Sequence, residues 1–281
     1  EHMAGIGGRR EARVVGTALR VPCQLAALAN GVQGHVLDYD DAQLTTVPGR
    51  PFGQQVHPTT PVLAAALALA EKTRASGSEL LAAYAAGVEV ACRFGEAVEP
   101  NHYINGFHPT GTLGVFGATA ASAYLLRLDR KHIAWALGIA GGLSSGLRAS
   151  RGTMAKSLNA GRAAENGVMA ATLAAAGFTA SARVFEDPMG FFSAACENRY
   201  KRDLLRFGSP WFLKEPGIAI KRYPCAGVMH PMLDTLLALL ERQPVRPEAV
   251  DHLRIHLHPD AARPLVYNRP KRGLEGKFSL P

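Results

Sequence analysis

From Thr59 onward the chain is a succession of apolar, alanine-rich runs separated by short polar or glycine-containing joints. Thr59 and Thr60 precede Pro61 and then VLAAALALAEK. A hydroxyl cap and a proline in the first turn predict a helix start there. Apolar residues run nearly all round this helix, so burial is expected. Gly77-Ser78-Glu79 opens a second helix, LLAAYAAGVEVACRFGEAV. A third is predicted from Pro109-Thr110 to Leu128 and a fourth from about Arg130 to Leu147. A fifth runs from Lys156 to Ala176, where Gly177 supplies a C-terminal cap. Gly111, Gly114 and Gly117 recur at spacing three in the third helix. No strand precedes them and the spacing is not that of a dinucleotide loop. They read as small residues that let helices approach closely.

The pattern changes after about Gly217. Tyr223-Pro224-Cys225 is an extended or turn segment, and Pro231 then starts a helix, MLDTLLALLE. In LRIHLH, Leu253, Ile255 and Leu257 alternate with Arg254, His256 and His258, which predicts a half-buried strand. The expected fold is mainly α, with a large all-helical unit over 1–216 and a smaller α+β unit over 217–281. No internal repeat or low-complexity tract breaks this division.

Composition narrows the function classes. Hydrophobic residues make up 47% and charged residues 19% of 281, a globular balance. The net charge is +8, but the basic residues are spread out, without the basic and aromatic patch expected of a nucleic-acid binder. The densest cluster, Arg263 to Lys277, holds five basic residues and one Glu. It reads as a solvated face or as a funnel for small anions. The four cysteines, Cys23, Cys92, Cys196 and Cys225, form no CxxC pair, so neither a disulfide framework nor an iron–sulfur site is expected. No charged-then-apolar leader opens the chain, and the uncharged stretch Ile133 to Leu147 is too short and glycine-rich for a membrane span. A cytoplasmic protein with no membrane partner is the expectation.

Three segments are too polar for their surroundings. His35-Val36-Leu37-Asp38-Tyr39-Asp40-Asp41 is followed by His57-Pro58-Thr59. Acids so close repel one another, so some should face water, a cation or a basic partner. A magnesium site of the aspartate-rich type would need a second acidic motif, and none is found. In Gly106-Phe107-His108-Pro109-Thr110-Gly111, a histidine sits just before a helix start. That position suits carboxylate binding and lowers the pKa of an imidazole, favouring a neutral base. Gly152-Thr153-Met154-Ala155-Lys156 puts a lysine at a helix start, with Arg148 and Arg151 just upstream, a plausible carboxylate clamp. Lys221, Arg222, Tyr223 and His230 form a similar basic cluster at the change of pattern. Solvated loop charges are the plain alternative for each. Together the segments suit general acid–base chemistry on a small acid, with no metal and no cofactor.

In the order HVLDYDD, HPTT, GFHPTGTLGVFGA, ALGIAGG, GTMAKSLNAGRAAENG, KRYPCAGVMH and LEGKFSLP, the chain resembles the MmgE/PrpD family from about Ala26 to Pro281. That family includes 2-methylcitrate dehydratases, cis-aconitate decarboxylases and iminodisuccinate epimerases. The resemblance implies a helical domain, an α+β lid, a homodimer and a pocket between domain and lid. It implies catalytic residues at Asp38, His57, His108, Lys156 and Lys221. Arg148, Arg151, Tyr223 and His230 are the candidate substrate-binding residues. The expected function is a cofactor-independent lyase, a dehydratase or decarboxylase, acting on a small polycarboxylate. The alternatives are an epimerase of the iminodisuccinate type and a carboxylate binder without turnover. Two positions depart from the family pattern: Ala42 stands where Thr is frequent, and KRYPCA replaces KPYPCC. The resemblance also implies further helices ahead of Glu1 and more of the lid after FSLP.

Overall fold

Alanine and glycine, rather than large side chains, set how closely the helices pack. The structure is a computed structural model that describes residues 2–48, 56–98 and 100–280; Glu1 and Pro281, the outer ends of the two expected units, lie outside them. Six long helices carry the core: Cys23–His35, Thr59–Thr73, Gly77–Ala97, Gly114–Leu125, Arg130–Leu143 and Met154–Ala175. The fold is mainly α. A methyl group added at Gly31 would lie 2.7 Å from the Cα of Gly161, and one at Gly117 would lie 2.5 Å from the Gly87 carbonyl oxygen. Backbones therefore touch where Cys23–His35 crosses Met154–Ala175 and where Gly77–Ala97 crosses Gly114–Leu125. Gly111 and Gly114 sit equally close to the Ser145 carbonyl and the Pro61 ring, so the glycine run serves helix approach. Phe94, Phe116, Phe185, Phe191 and Phe192 form an aromatic cluster at one side of this core.

Several boundaries differ from the sequence reading, each for a local reason. Thr59 is the first helical residue rather than a cap, because Asp41 accepts its N–H at 3.2 Å and its hydroxyl at 2.8 Å. A carboxylate from another segment thus does the capping. Ser76, not Gly77, caps the next helix, in a reciprocal capping box with Glu79. The predicted third helix is two, Pro109–Thr112 and Gly114–Leu125, joined at Leu113. The fourth stops at Leu143 because the chain beyond it pairs with 106–108: His108 N donates to Gly146 O and Arg148 N to Gly106 O. The Cys23–His35 helix had no counterpart in the sequence reading.

His230–Arg242 forms as expected, but residues 251–258 form no strand. Their alternation is faint, with Ile255 and Leu257 half-buried and Leu253 exposed. A strand needs a neighbour to accept its backbone hydrogen bonds, and no described segment pairs with this one. The strand that matters is elsewhere: Ile218–Ala219 pairs antiparallel with Ala42–Gln43, with Ala42 opposite Ala219. That register carries Lys221 toward Asp38. Among the described residues, no helix is long and apolar enough to cross a membrane.

Candidate active site

The turn after Cys23–His35 brings a carboxylate inward. Asp38 has a left-handed backbone, φ 51°, a conformation that Asp tolerates better than most residues. It is 3% exposed. Its Oδ1 accepts from Lys221 Nζ at 2.8 Å and from Lys156 Nζ at 3.1 Å, and its carbonyl accepts from Lys221 at 2.9 Å. Burial alone would push this carboxyl up, but the charges of Lys156 and Lys221 outweigh it and hold the pKa well below the usual range. Asp38 is therefore an ionised anchor that ties the two lysines together. Burial lowers the pKa of Lys156, while Asp38 and Asp40 oppose that effect.

The neighbouring acids diverge rather than converge. Asp40 Oδ2 faces His35 Nδ1 at 2.7 Å and accepts from the Thr60 hydroxyl at 2.8 Å. Burial raises its pKa, but His35 and His57 beside it outweigh that and hold it far below the usual value. Asp41 turns away to Thr59, and burial pushes its pKa up to about 6. Among the described residues, no group of three or more His, Cys, Asp or Glu is placed to hold a metal ion.

Three imidazoles cluster beside the lysines, with His35 5.1 Å from His57 and 5.6 Å from His108 between ring centroids. Their hydrogen bonds assign the tautomers. His57 Nδ1 lies 2.6 Å from the Asp41 carbonyl, which can only accept, so Nδ1 carries the hydrogen and Nε2 is a lone pair. Burial lowers its pKa to about 3, with Asp40 opposing, so the fold holds His57 neutral. His108 is the reverse case. The Asn159 amide nitrogen donates to the Leu147 carbonyl at 3.3 Å and to His108 Nδ1 at 3.1 Å, which leaves the hydrogen on Nε2. Burial, then the Lys156 charge, holds the His108 pKa well below its ordinary value. A neutral His108 is thus a hydrogen-bond donor rather than the neutral base that its place before a helix suggests.

These residues line one open cleft, enclosing about 790 Å³ of space in part continuous with solvent. Its wall holds Asp38, His57, His108, Lys156 and Lys221 together with Arg148 and Arg151. Arg148 is set by its bond to the Tyr103 carbonyl, 2.7 Å, and by stacking over the Tyr103 ring at 3.4 Å.

The sequence matches the family described as MmgE/PrpD N-terminal domain over residues 1–203. This chain belongs to the MmgE/PrpD family. It is 32% identical over 222 residues to the cis-aconitate decarboxylase of Homo sapiens, an alignment covering 77% of this chain and 44% of that protein. It is 30% identical over 226 residues to the Mus musculus cis-aconitate decarboxylase, covering 78% and 44%. Identity to the cis-aconitate decarboxylase of Aspergillus terreus is 29% over 241 residues, covering 83% and 48%. The chain thus spans somewhat under half the length of these relatives.

In this MmgE/PrpD chain, seven of the nine candidate residues meet in the cleft, and Tyr223 and His230 do not line it. The Tyr223 hydroxyl donates to Asp234 at 2.7 Å on the exposed face of His230–Arg242. His230 Nε2 lies 3.1 Å from the Tyr223 carbonyl, so it binds its own turn. Both belong to the fastening of the KRYPC segment rather than to the wall. Lysine 221 points the other way because Asp38 and the Cys225 carbonyl take its ammonium. Sequence reasoning missed Tyr103, Ala226, Val228 and Phe278 as wall residues. Apolar side chains carry no chemical signal of their own. It also passed over His35, whose signal was its place three residues before Asp38.

Proposed function

We propose that the protein is a cofactor-independent lyase that breaks a bond beside a carboxylate of a small polycarboxylate by general acid–base chemistry. The observation that carries this reading is the charge of the cleft. Arg148, Arg151, Lys156 and Lys221 face one lining carboxylate, Asp38, which already lies against both lysines. Surplus fixed positive charge in a partly desolvated cleft is complementary to a polyanion and to enolate-like charge developing on it. The names of the relatives support decarboxylation, with cis-aconitate as the first substrate to test.

In this reading the arginines hold the carboxylates that do not react. As the C–C bond to the departing CO2 breaks, its electron pair stays on the substrate and spreads toward a carboxylate beside Lys156 and Lys221. The His108 Nε2–H donates to an oxygen of that carboxylate. His57, charged when a polyanion raises its proton affinity, returns a proton to carbon through Nε2. A second reading, dehydration of an alkyl-substituted citrate such as 2-methylcitrate, draws on the apolar wall of Ala42, Ala226, Val228 and Phe278. Ala42 has no hydroxyl to desolvate there, so an alkyl group fits beside it.

The test is incubation with cis-aconitate, 2-methylcitrate, citrate and iminodisuccinate in deuterated water, following CO2, unsaturated acid and deuterium on carbon. CO2 or unsaturated acid supports a lyase. Deuterium exchange alone points to the epimerase alternative. Binding with neither overturns catalysis in favour of a carboxylate-binding role. Turnover is expected to survive exhaustive chelation, because the acids of the cleft are already committed to protein partners. Activity lost to chelator and restored by magnesium or zinc would sink that expectation.

The same proposal has the 217–281 segment act as a lid over a helical domain of residues 1–216, and two chains associate through the helices. Large apolar side chains left exposed on helices, among them Leu63, Leu81, Tyr124 and Leu158, support association. Sedimentation equilibrium at micromolar concentration is expected to give twice the chain mass, and a monomer mass would overturn the dimer.

A further inference from the structure

His35 is buried behind the cleft, 1% exposed, and is absent from the cleft wall, yet it touches the reacting machinery from the rear. Lys156 Nζ lies 2.9 Å from His35 Nε2 and 3.1 Å from Asp38 Oδ1. An ammonium has three hydrogens. Two are taken by these acceptors, which leaves one hydrogen on a side chain that lines the cleft. The arrangement requires His35 Nε2 to be a lone pair, with its hydrogen on Nδ1. Asp40 enforces that tautomer, since its Oδ2 stands 2.7 Å from Nδ1 and is itself steadied by the Thr60 hydroxyl. A carboxylate, an imidazole and an ammonium thus form one line that ends at the substrate space.

We propose that His35, oriented by Asp40, is a positioning residue that keeps Lys156 charged and aims its free N–H at the substrate. The inference rests on the lyase reading for its effect on turnover, but not for its effect on Lys156. His35 gives up no proton itself. It offers a lone pair, and any proton that Lys156 donates leaves from the cleft side. Lys156 is also faced by Asp38 and Asp40 from the turn after His35, by His57 and His108, and by Lys221 and Lys277 from the C-terminal part. The two carboxylates favour the ammonium and the two lysines oppose it. A His35→Leu substitution removes the acceptor and leaves all of these groups in place.

The test measures Lys156 directly in the ligand-free protein, by ¹⁵N NMR of its labelled ammonium across pH, with Lys156→Met assigning the signal. His35→Leu is expected to lower the Lys156 midpoint by about one unit or more, because an acceptor that stabilised the charged form is gone. Asp40→Asn should act in the same direction. The neutral amide holds the hydrogen on Nδ1 less firmly than the carboxylate does, and a charge that favoured the ammonium is gone. His35→Gln, whose side-chain oxygen can still accept, should stay near wild type. In turnover, His35→Leu should lower kcat on the order of 10²-fold and move the alkaline limb of the pH profile down, while KM changes much less and His35→Gln recovers most of the rate. Unchanged Lys156 midpoints in the variants that fold would overturn the role of His35, with Asp40→Asn deciding if His35→Leu does not fold. A wild-type protein inactive on every polyacid tested would instead overturn the lyase reading, and the Lys156 midpoints would still judge His35.

Discussion

Lys221→Met is expected to lose roughly 10²–10³-fold in kcat/KM, or about 3–4 kcal/mol of transition-state stabilisation. Lys221 is 8% exposed, and its ammonium meets the Asp38 carboxylate and carbonyl together with the Cys225 carbonyl. Such a group has little water to screen it, so its charge acts at close to full strength on a polyanion in the cleft. Removing it also leaves Asp38 with one cation instead of two, and breaking a buried pair is destabilising by about 3–5 kcal/mol when no partner remains. Lys156 remains, so the fold should survive with a lowered melting temperature. The double variant Lys221→Met, Asp38→Asn also takes the nearest carboxylate from the buried Lys156 and should lose further stability without regaining turnover. Steady-state kinetics and thermal melts on the two proteins decide the matter. Normal turnover by a folded Lys221→Met protein would remove this lysine from the proposed chemistry.

How much of this was legible in the sequence varies by element. The alanine-rich helices were visible because their apolar runs are long and their breaks carry proline or glycine. Their ends were less so, since capping came from outside the segment: Asp41 caps Thr59, and the pairing of 106–108 with 146–148 cuts the fourth helix short. Cys23–His35 hid because two glycines and an asparagine weaken its local helix signal. Gly31 is there for the crossing with Gly161 and Gly34 for the close approach of Thr60, both tertiary facts. The polar segments that follow it were conspicuous as chemistry, and each of them does send charged or histidine side chains to one cleft. What spacing could not tell was direction. Lys221 and Tyr223 are two residues apart, yet one is held inward by Asp38 and the other outward by Asp234. Nor could it tell roles apart, because the difference between His57 and His108 lies in the atoms that meet their Nδ1, a carbonyl in one case and an amide N–H in the other.

That difference makes paired substitutions at His57 and His108 the sharpest test of the proposed proton transfer. His57→Gln should lower kcat by roughly 10²–10⁴-fold, because an amide can accept a hydrogen bond at that place but cannot take up and return a proton. His108→Gln should cost much less than His108→Ala, since glutamine keeps an N–H donor and a neutral donor is all that this tautomer offers. Equal losses in the two glutamine variants would mean that both histidines move protons and would overturn the division of roles. Folding supplies an independent check. The His57 pKa falls from 6.5 to about 3 on burial, so between those values the unfolded chain binds a proton that the folded one refuses. Its contribution to stability is therefore fully present above pH 6.5 and is lost as pH falls toward 3. His57→Gln has no such group, so its melting temperature should fall less steeply than wild type between pH 6 and 4. If the two proteins lose stability in parallel over that range, His57 is not held neutral by the fold, and its lone pair is not standing ready for a proton.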